Sequence, residues 1–232
     1  MNSKPRYAIY FAPKEGSPLE NFGKKWLNRT AEHLNSTPES TPQGFSYQEH
    51  LGLVATPKHY GFHATLKAPF ELRDNKSEQE LYTAFEEFSA TSPAFTLQGL
   101  QLRNIGKFIA LAPLHQEEKL TSLHSNLVKE FDEFRAHINE FDKNRYAAKY
   151  LNADEQKYLD QYGYPYIFDL FQFHLTLTGT LTLDEEDIYL KKLKELTKDI
   201  CNTPLVIDQI SLFYQPSRKD PFICIKSCVL GG

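Results

Sequence analysis

Cysteine is scarce. The chain has three, Cys201, Cys224 and Cys228, among 232 residues. They form no Cys-x-x-Cys pair, and so odd and sparse a set excludes a disulfide framework. The expected setting is a reducing cytoplasm with apolar, buried thiols. Long apolar runs are missing as well: nothing approaches the ~18 residues of a membrane span, so no membrane contact is expected. The opening "MNSKPRYAIYFAP" has only a short apolar run, broken by Pro13, and lacks the pattern of a secretory leader. The Asn28-Arg29-Thr30 sequon therefore carries no implication. Positive charge is not in excess either. Lys and Arg number 26 against 30 Asp and Glu, a net charge of −4, which leaves no global basic field for long nucleic acid but allows a local basic pocket.

What is present is an ordinary globular composition, 41% hydrophobic and 24% charged. A chain of this length can bury a core as one domain or as two packed lobes. Its distinctive feature is a repeat. "YGFHATLKAPF" (60–70) and "FQFHLTLTGTL" (171–181) both contain Phe-His-x-Thr-Leu, with the histidines 111 residues apart (174 − 63). Pro93 and Pro204 keep the same offset. Phe108-Ile109 and Phe222-Ile223 keep nearly the same offset, 114 (222 − 108). A duplicated unit explains this better than composition does.

The elements around the two motifs agree. A strand is expected at 6–11. A helix follows, capped by Ser17, with Pro18 at its first position and Glu20 three after the cap. Residues 30–50 are polar, carry Pro38, Pro42 and Gly44, and read as a loop. The strand over 60–70 places Phe62, Ala64, Leu66 and Ala68 on one face and His63, Thr65 and Lys67 on the other. Ser77 and Glu80 form a capping box for the next helix, with Leu81, Phe85 and Phe88 inward. Strands follow at 93–103 and 107–113, then a long helix at 116–138, then a short one from Asn152 to Gly163. After the second motif come a helix from Asp184, with Ile188, Leu193, Leu196 and Ile200 inward, and strands at 204–214 and 221–229. The order strand, helix, strand, strand thus occurs twice.

Period two places the His and Thr of each motif on one strand face, about 6.6 Å apart. Polar faces of this kind are costly to bury without partners. If two lobes pack face to face, two histidines and two threonines converge on one cleft. Imidazole titrates near 6.5, so a pair can hold one neutral base and one charged acid near neutral pH. Hydroxyls and a nearby cation can stabilise phosphate oxygens. That suits phosphate-ester chemistry with no metal or cofactor. A zinc site is the chemical competitor, but no Cys pair or Glu-x-x-His pattern supplies further ligands. Lys67 is either a phosphate ligand or a solvated strand-end lysine. His33, His50, His115, His124 and His137 have no comparable setting and read as ordinary.

The two His-x-Thr motifs, half a chain apart, resemble those of the 2H phosphoesterase superfamily. "RYAIYFAP", "YGFHATLKAPF", "FDEFRA" (131–136) and "YGYPYIFDLFQFHLTLTG" (162–179) look like its DUF1045 branch, associated with phosphonate utilisation. The chain differs from that branch at His137, where proline is expected. The resemblance implies an α+β, bilobal fold over residues 1–232, with two pseudo-symmetric lobes, antiparallel sheets, outer helices and a cleft between. The repeat regions would be 57–113 and 168–230. It also implies a hydrolase acting without metal on a small cyclic phosphate or nucleotide phosphodiester, such as a cyclic ribose phosphate from phosphonate breakdown. Motif matching carries His63, Thr65, His174 and Thr176 over as catalytic residues. Arg6, Tyr10, Arg135 and Tyr166 lie in the matching blocks and read as substrate contacts, or as packing and structural ion pairs. A monomer is expected. The alternative is a binding module that holds a phosphorylated ligand or RNA end without turnover.

Overall fold

The structure is a computed structural model, described over residues 4–29 and 41–232. It is an α+β fold built on antiparallel strand pairs. The elements run β1 (Arg6–Phe11), α1 (Pro18–Leu27), α2 (Tyr47–Tyr60), β2 (Ala64–Glu71), α3 (Glu78–Thr91), β3 (Phe95–Leu97), β4 (Leu100–Ile105), β5 (Phe108–Pro113) and α4 (Glu118–Glu130). Then come α5 (Glu140–Ala147), α6 (Ala153–Tyr162), β6 (Leu175–Thr176), α7 (Leu183–Cys201), β7 (Leu205–Ile207), β8 (Gln209–Gln215) and β9 (Ile223–Val229).

The sheets are interlaced. A four-stranded sheet has the order β2-β1-β8-β9, a three-stranded sheet β4-β5-β6, and β3 pairs with β7. The first motif leads into β2, which shares its sheet with β8 and β9 from the second repeat. The second motif lies on β6, which pairs with β5 from the first. Each of the two larger sheets therefore takes its motif strand from one repeat and its hairpin from the other. The two repeats depend on each other for their sheets, and β1, outside both, is inserted between β2 and β8. All six residues of β1 are buried, so both faces of this strand are covered.

The helix signals mostly hold. Ser17 caps α1, Ser77 and Glu80 form the capping box of α3, and Gly163 ends α6 in the left-handed region. The long helix after β5 ends earlier than its apolar periodicity suggests. It stops at Glu130, and Phe131–Phe134 continue as a 3₁₀ turn with both phenylalanines still buried. In α7, Leu193 is fully buried while Ile188 is exposed.

The expected loop at 30–50 is corrected at its far end; residues 30–40 lie outside the described residues. Ser46 and Glu49 form a capping box and α2 begins at Tyr47. Pro57 and Gly52 disguise this helix in the sequence. Pro57 has no N–H to give to Leu53 four residues back. The freed Leu53 carbonyl instead accepts the backbone N–H of Gly179 at 2.7 Å, just beyond the second motif.

Candidate active site

The first histidine sits at the end of α2. Arg29, 2% exposed, donates from one terminal nitrogen to the carbonyls of Lys58 (2.7 Å) and His59 (3.0 Å), and from the other to Phe222 (2.7 Å). It thus satisfies the last carbonyls of the helix, which have no intrahelical partner. Gly61 follows with φ +91°, a conformation that favours glycine, and its carbonyl faces back to His63. His63 Nδ1 donates to that carbonyl at 3.0 Å.

The second histidine repeats the device: His174 Nδ1 donates to the carbonyl of Gln172 at 2.7 Å. A carbonyl only accepts, so in both rings Nδ1 carries the proton. The neutral forms therefore keep a lone pair on Nε2.

Strand pairing explains what surrounds His63. Tyr10 on β1 lies opposite Thr65, so both side chains share the cleft face. The Tyr10 ring stacks on His63 at 3.7 Å between centroids and 14° between planes. Tyr10 is 1% exposed, and its hydroxyl has no hydrogen-bond partner among the described residues. Burial pushes its pKa up.

One residue further on, β2 has a bulge. Tyr10 opposes Thr65, but Ile9 opposes Lys67, leaving Leu66 unpaired. The bulge reverses the alternation. Lys67 therefore shares a face with Ile9, on the core side, and Ala68 takes the cleft side. This corrects the sequence reading of Lys67, which assumed unbroken period two. Its ammonium is buried, donates to the Val128 carbonyl at 3.1 Å and lies over Phe70. Burial pushes its pKa down to about 7.

The cleft has two adjoining compartments. One, of about 430 Å³, is lined by His63, Thr65, Thr176, Arg6 and Tyr10 among others. The other, of about 530 Å³, is lined by His174 and Thr65. Phe108, Lys149, Tyr164 and Tyr166 line both. Of the residues singled out in the sequence, both His-x-Thr pairs, Arg6, Tyr10 and Tyr166 thus come together. Lys67 does not, and neither does Arg135. The Arg135 guanidinium is committed to Asp132 (2.7 Å) and to the carbonyls of Ala136 (3.1 Å) and Gln161 (3.0 Å). It is a structural ion pair, the alternative its block left open.

Burial pushes His63 down to about 3, the Gly61 carbonyl offsets this in part, and the neighbouring charge of His174 adds to the fall. The two rings are therefore within electrostatic reach of each other. Burial also lowers the pKa of His174. Both imidazoles are thus held neutral. An anion between them would favour the charged form of either.

Sequence reading missed several residues here. Tyr60, Arg145, Tyr146 and Lys149 line the first compartment from the end of α2 and from α5 and its exit. The signal for α5 was weak: a short polar helix behind the cap Asn139. Thr178, the repeat counterpart of Lys67, accepts from the Ile109 N–H through its hydroxyl at 3.0 Å. The backbone N–H groups of Leu177 and Thr178 both donate to the Ile109 carbonyl, at 2.9 and 3.3 Å, so the second motif stays tied to β5 beyond the end of β6. His124 read as ordinary, yet it ties the two motif regions together. Its Nδ1 donates to the bulged Leu66 carbonyl at 2.6 Å, and its Nε2 accepts from Phe168 N–H at 3.1 Å. Among the described residues no three His, Cys, Asp or Glu side chains cluster as metal ligands would.

A duplicated histidine-threonine cleft of this kind is what the sequence led one to expect of a particular family. The chain belongs to the DUF1045 family, described as a protein of unknown function, whose model matches residues 65–223. Two curated relatives are named ribose 1,5-bisphosphate phosphokinase. That of Janthinobacterium sp. (strain Marseille) is 30% identical over 95% of this chain and 50% of its own length. That of Laribacter hongkongensis (strain HLHK9) is 32% identical over 79% of this chain and 42% of its own length. The chain spans about half the length of the curated relatives it matches. Among solved structures, E. coli LigT complexed with NADP+ aligns at TM-score 0.45 and 11% identity, over 99% of this chain and 100% of that one. A Thermus thermophilus protein aligns at TM-score 0.46 and 12% identity, over 98% of each chain.

Proposed function

We propose that this chain is a phosphoesterase of the 2H type, hydrolysing a small cyclic phosphate or nucleotide phosphodiester with its two histidines as acid and base. The observation that carries this reading is the duplicated lock on Nδ1. Two histidines at one cleft have the same nitrogen tied to the carbonyl two residues back, each leaving Nε2 for chemistry. One Nε2 takes a proton from water as its oxygen bonds to phosphorus. The P–O bond to the leaving oxygen breaks, and the other imidazole, protonated, gives that oxygen a proton. With Nε2 left for chemistry on both rings, either histidine can be the base and the other the donor. Thr65 and Thr176 hydroxyls hold the non-bridging oxygens as charge redistributes. Phe108, Tyr164 and Tyr166 offer aromatic surface for a sugar or base.

A cyclic ribose phosphate linked to phosphonate breakdown is the substrate that fits both the family resemblance and the phosphokinase names of the relatives. The test is a panel of ribose and nucleoside cyclic phosphates assayed with chelator present. Hydrolysis of at least one member that survives chelation is expected. Turnover that disappears with chelator and returns with a divalent metal would contradict the reading.

A further inference from the structure

The cleft holds a buried charge that the histidine chemistry does not use. Arg6 is only 9% exposed. Its Nε and one terminal nitrogen both donate to the side-chain oxygen of Gln215, a neutral group. The guanidinium lies 5.4 Å over the Phe222 ring. Among the described residues no carboxylate lies within ion-pair distance of it. Burying a cation without a counter-ion is costly, and the structure keeps it.

Its surroundings do not repair the deficit. Asp142 is the acid that acts on Arg6 most strongly. That carboxylate is already engaged by Arg218 at 3.0 and 2.5 Å and by Arg145 at 3.7 Å. Glu71 also faces Arg218, at 3.3 Å. Lys149 lies over the rings of Tyr146 and Tyr166 and has no acidic partner among the described residues. Arg6, Arg145 and Lys149 all line the first compartment. Asp142 and Glu71 are thus engaged by Arg145 and Arg218, and neither is within ion-pair distance of Arg6.

Position separates this charge from the histidines. Arg6 and Tyr10 stand on the same face of β1, four residues apart, so their backbones are about 13 Å apart along the strand. Tyr10 backs His63. The strand thus carries Arg6 near one end and, near the other, the ring that backs His63.

We infer that the cleft carries a second anion site, formed by Arg6 and Arg145 with Lys149 at its rim, and that its substrate bears a second phosphate one sugar-sized spacer from the reacting ester. This rests on reading the histidine pair as a phosphate-ester site. The second phosphate supplies the missing counter-charge, and Arg6 and Arg145 can each offer planar, paired donors to it.

Calorimetric titration of the full chain with adenosine 3′,5′-bisphosphate and with adenosine 3′-monophosphate tests this without needing turnover. The bisphosphate is expected to bind at least about tenfold more tightly, with the advantage shrinking as salt rises. Arg145→Met should reduce bisphosphate affinity about fivefold or more and leave the monophosphate unchanged. Arg6→Gln should do the same, and Arg145→Met alone suffices if that variant fails to fold. Equal affinity for the two ligands overturns the inference. So does a variant that weakens both equally, or no binding of either at millimolar concentration. A bisphosphate preference without hydrolysis of any ester would sink the phosphoesterase reading and leave the anion site standing. Hydrolysis without the preference would do the reverse.

Discussion

Replacing His124 by leucine should damage the protein more than any other substitution of a histidine outside the two motifs. The ring is 3% exposed, between the bulge of β2 and the turn that leads to the second motif. It donates to Leu66, accepts from Phe168, and stacks on Phe171 at 3.9 Å and 4°. Phe168 has φ +56°, so the turn it starts is held in a conformation few side chains adopt. Leucine leaves one carbonyl and one N–H buried without partners, at about 1–3 kcal/mol each. With lost stacking, the expected destabilisation is about 4 kcal/mol at pH 7.5. The loss should depend on pH. Burial pushes His124 down to about 4 from 6.5, so below pH 6.5 the unfolded chain takes a proton that the folded one refuses. Stability is therefore lost as pH falls from 6.5 towards 4. The wild type forfeits about 2 kcal/mol of it by pH 5, a share the leucine variant does not lose. Urea unfolding of both proteins at pH 7.5 and pH 5 measures this. The gap should shrink from about 4 to about 2 kcal/mol. A gap under about 1 kcal/mol at pH 7.5, or one that does not change with pH, refutes the reasoning.

Two further substitutions separate structure from function. Lys67→Met should leave hydrolysis intact and stabilise the fold, because one hydrogen bond is a poor return for a buried amine. The folded pKa is about 7 against 10.5 unfolded, so wild-type stability rises with pH across that window, and the gain from methionine should be larger at pH 6 than at pH 9. Loss of activity in a folded Lys67→Met protein would return the residue to the cleft. Tyr10→Phe keeps the ring behind His63 and removes a hydroxyl with no protein partner among the described residues. Unfolding free energy should move by less than about 1 kcal/mol, while binding of a phosphorylated ligand weakens about tenfold. A large loss of stability with unchanged binding would assign the hydroxyl to the core.

Much of this was legible in the sequence because it rests on local chemistry. Ser17, Pro18, Ser77, Glu80 and Gly163 announce helix ends through caps and turns that need only neighbouring residues. The two Phe-His-x-Thr-Leu copies announce the cleft because a polar strand face repeated at a fixed offset has few structural reasons to exist. What stayed hidden depends on partners far along the chain. Period two cannot reveal that Leu66 is bulged, because the bulge exists only relative to β1, so Lys67 was put on the wrong face. Interlacing of the sheets is a property of pairing, not of either repeat. Pro57 reads as a helix breaker until Gly179 supplies the donor its carbonyl partner lacks. His124 and Arg29 look like any polar side chains; their value lies in carbonyls 58 and 29 residues away. Arg145 and Lys149 sit on a short polar helix and its exit, whose sequence does not name the cavity it borders.

The central claim is that His63 and His174 act as one acid–base unit. Once a hydrolysed ester is in hand, turnover should be measured for His63→Ala, His174→Ala and the double variant across pH 5–9, with circular dichroism confirming that each is folded. Each single change should cost about 10²–10⁴-fold, and each should remove one limb of a bell-shaped profile. The double variant should be far less impaired than the product of the singles, because the two histidines serve the same step. A folded His174→Ala protein with full activity and an unchanged pH profile would contradict the account.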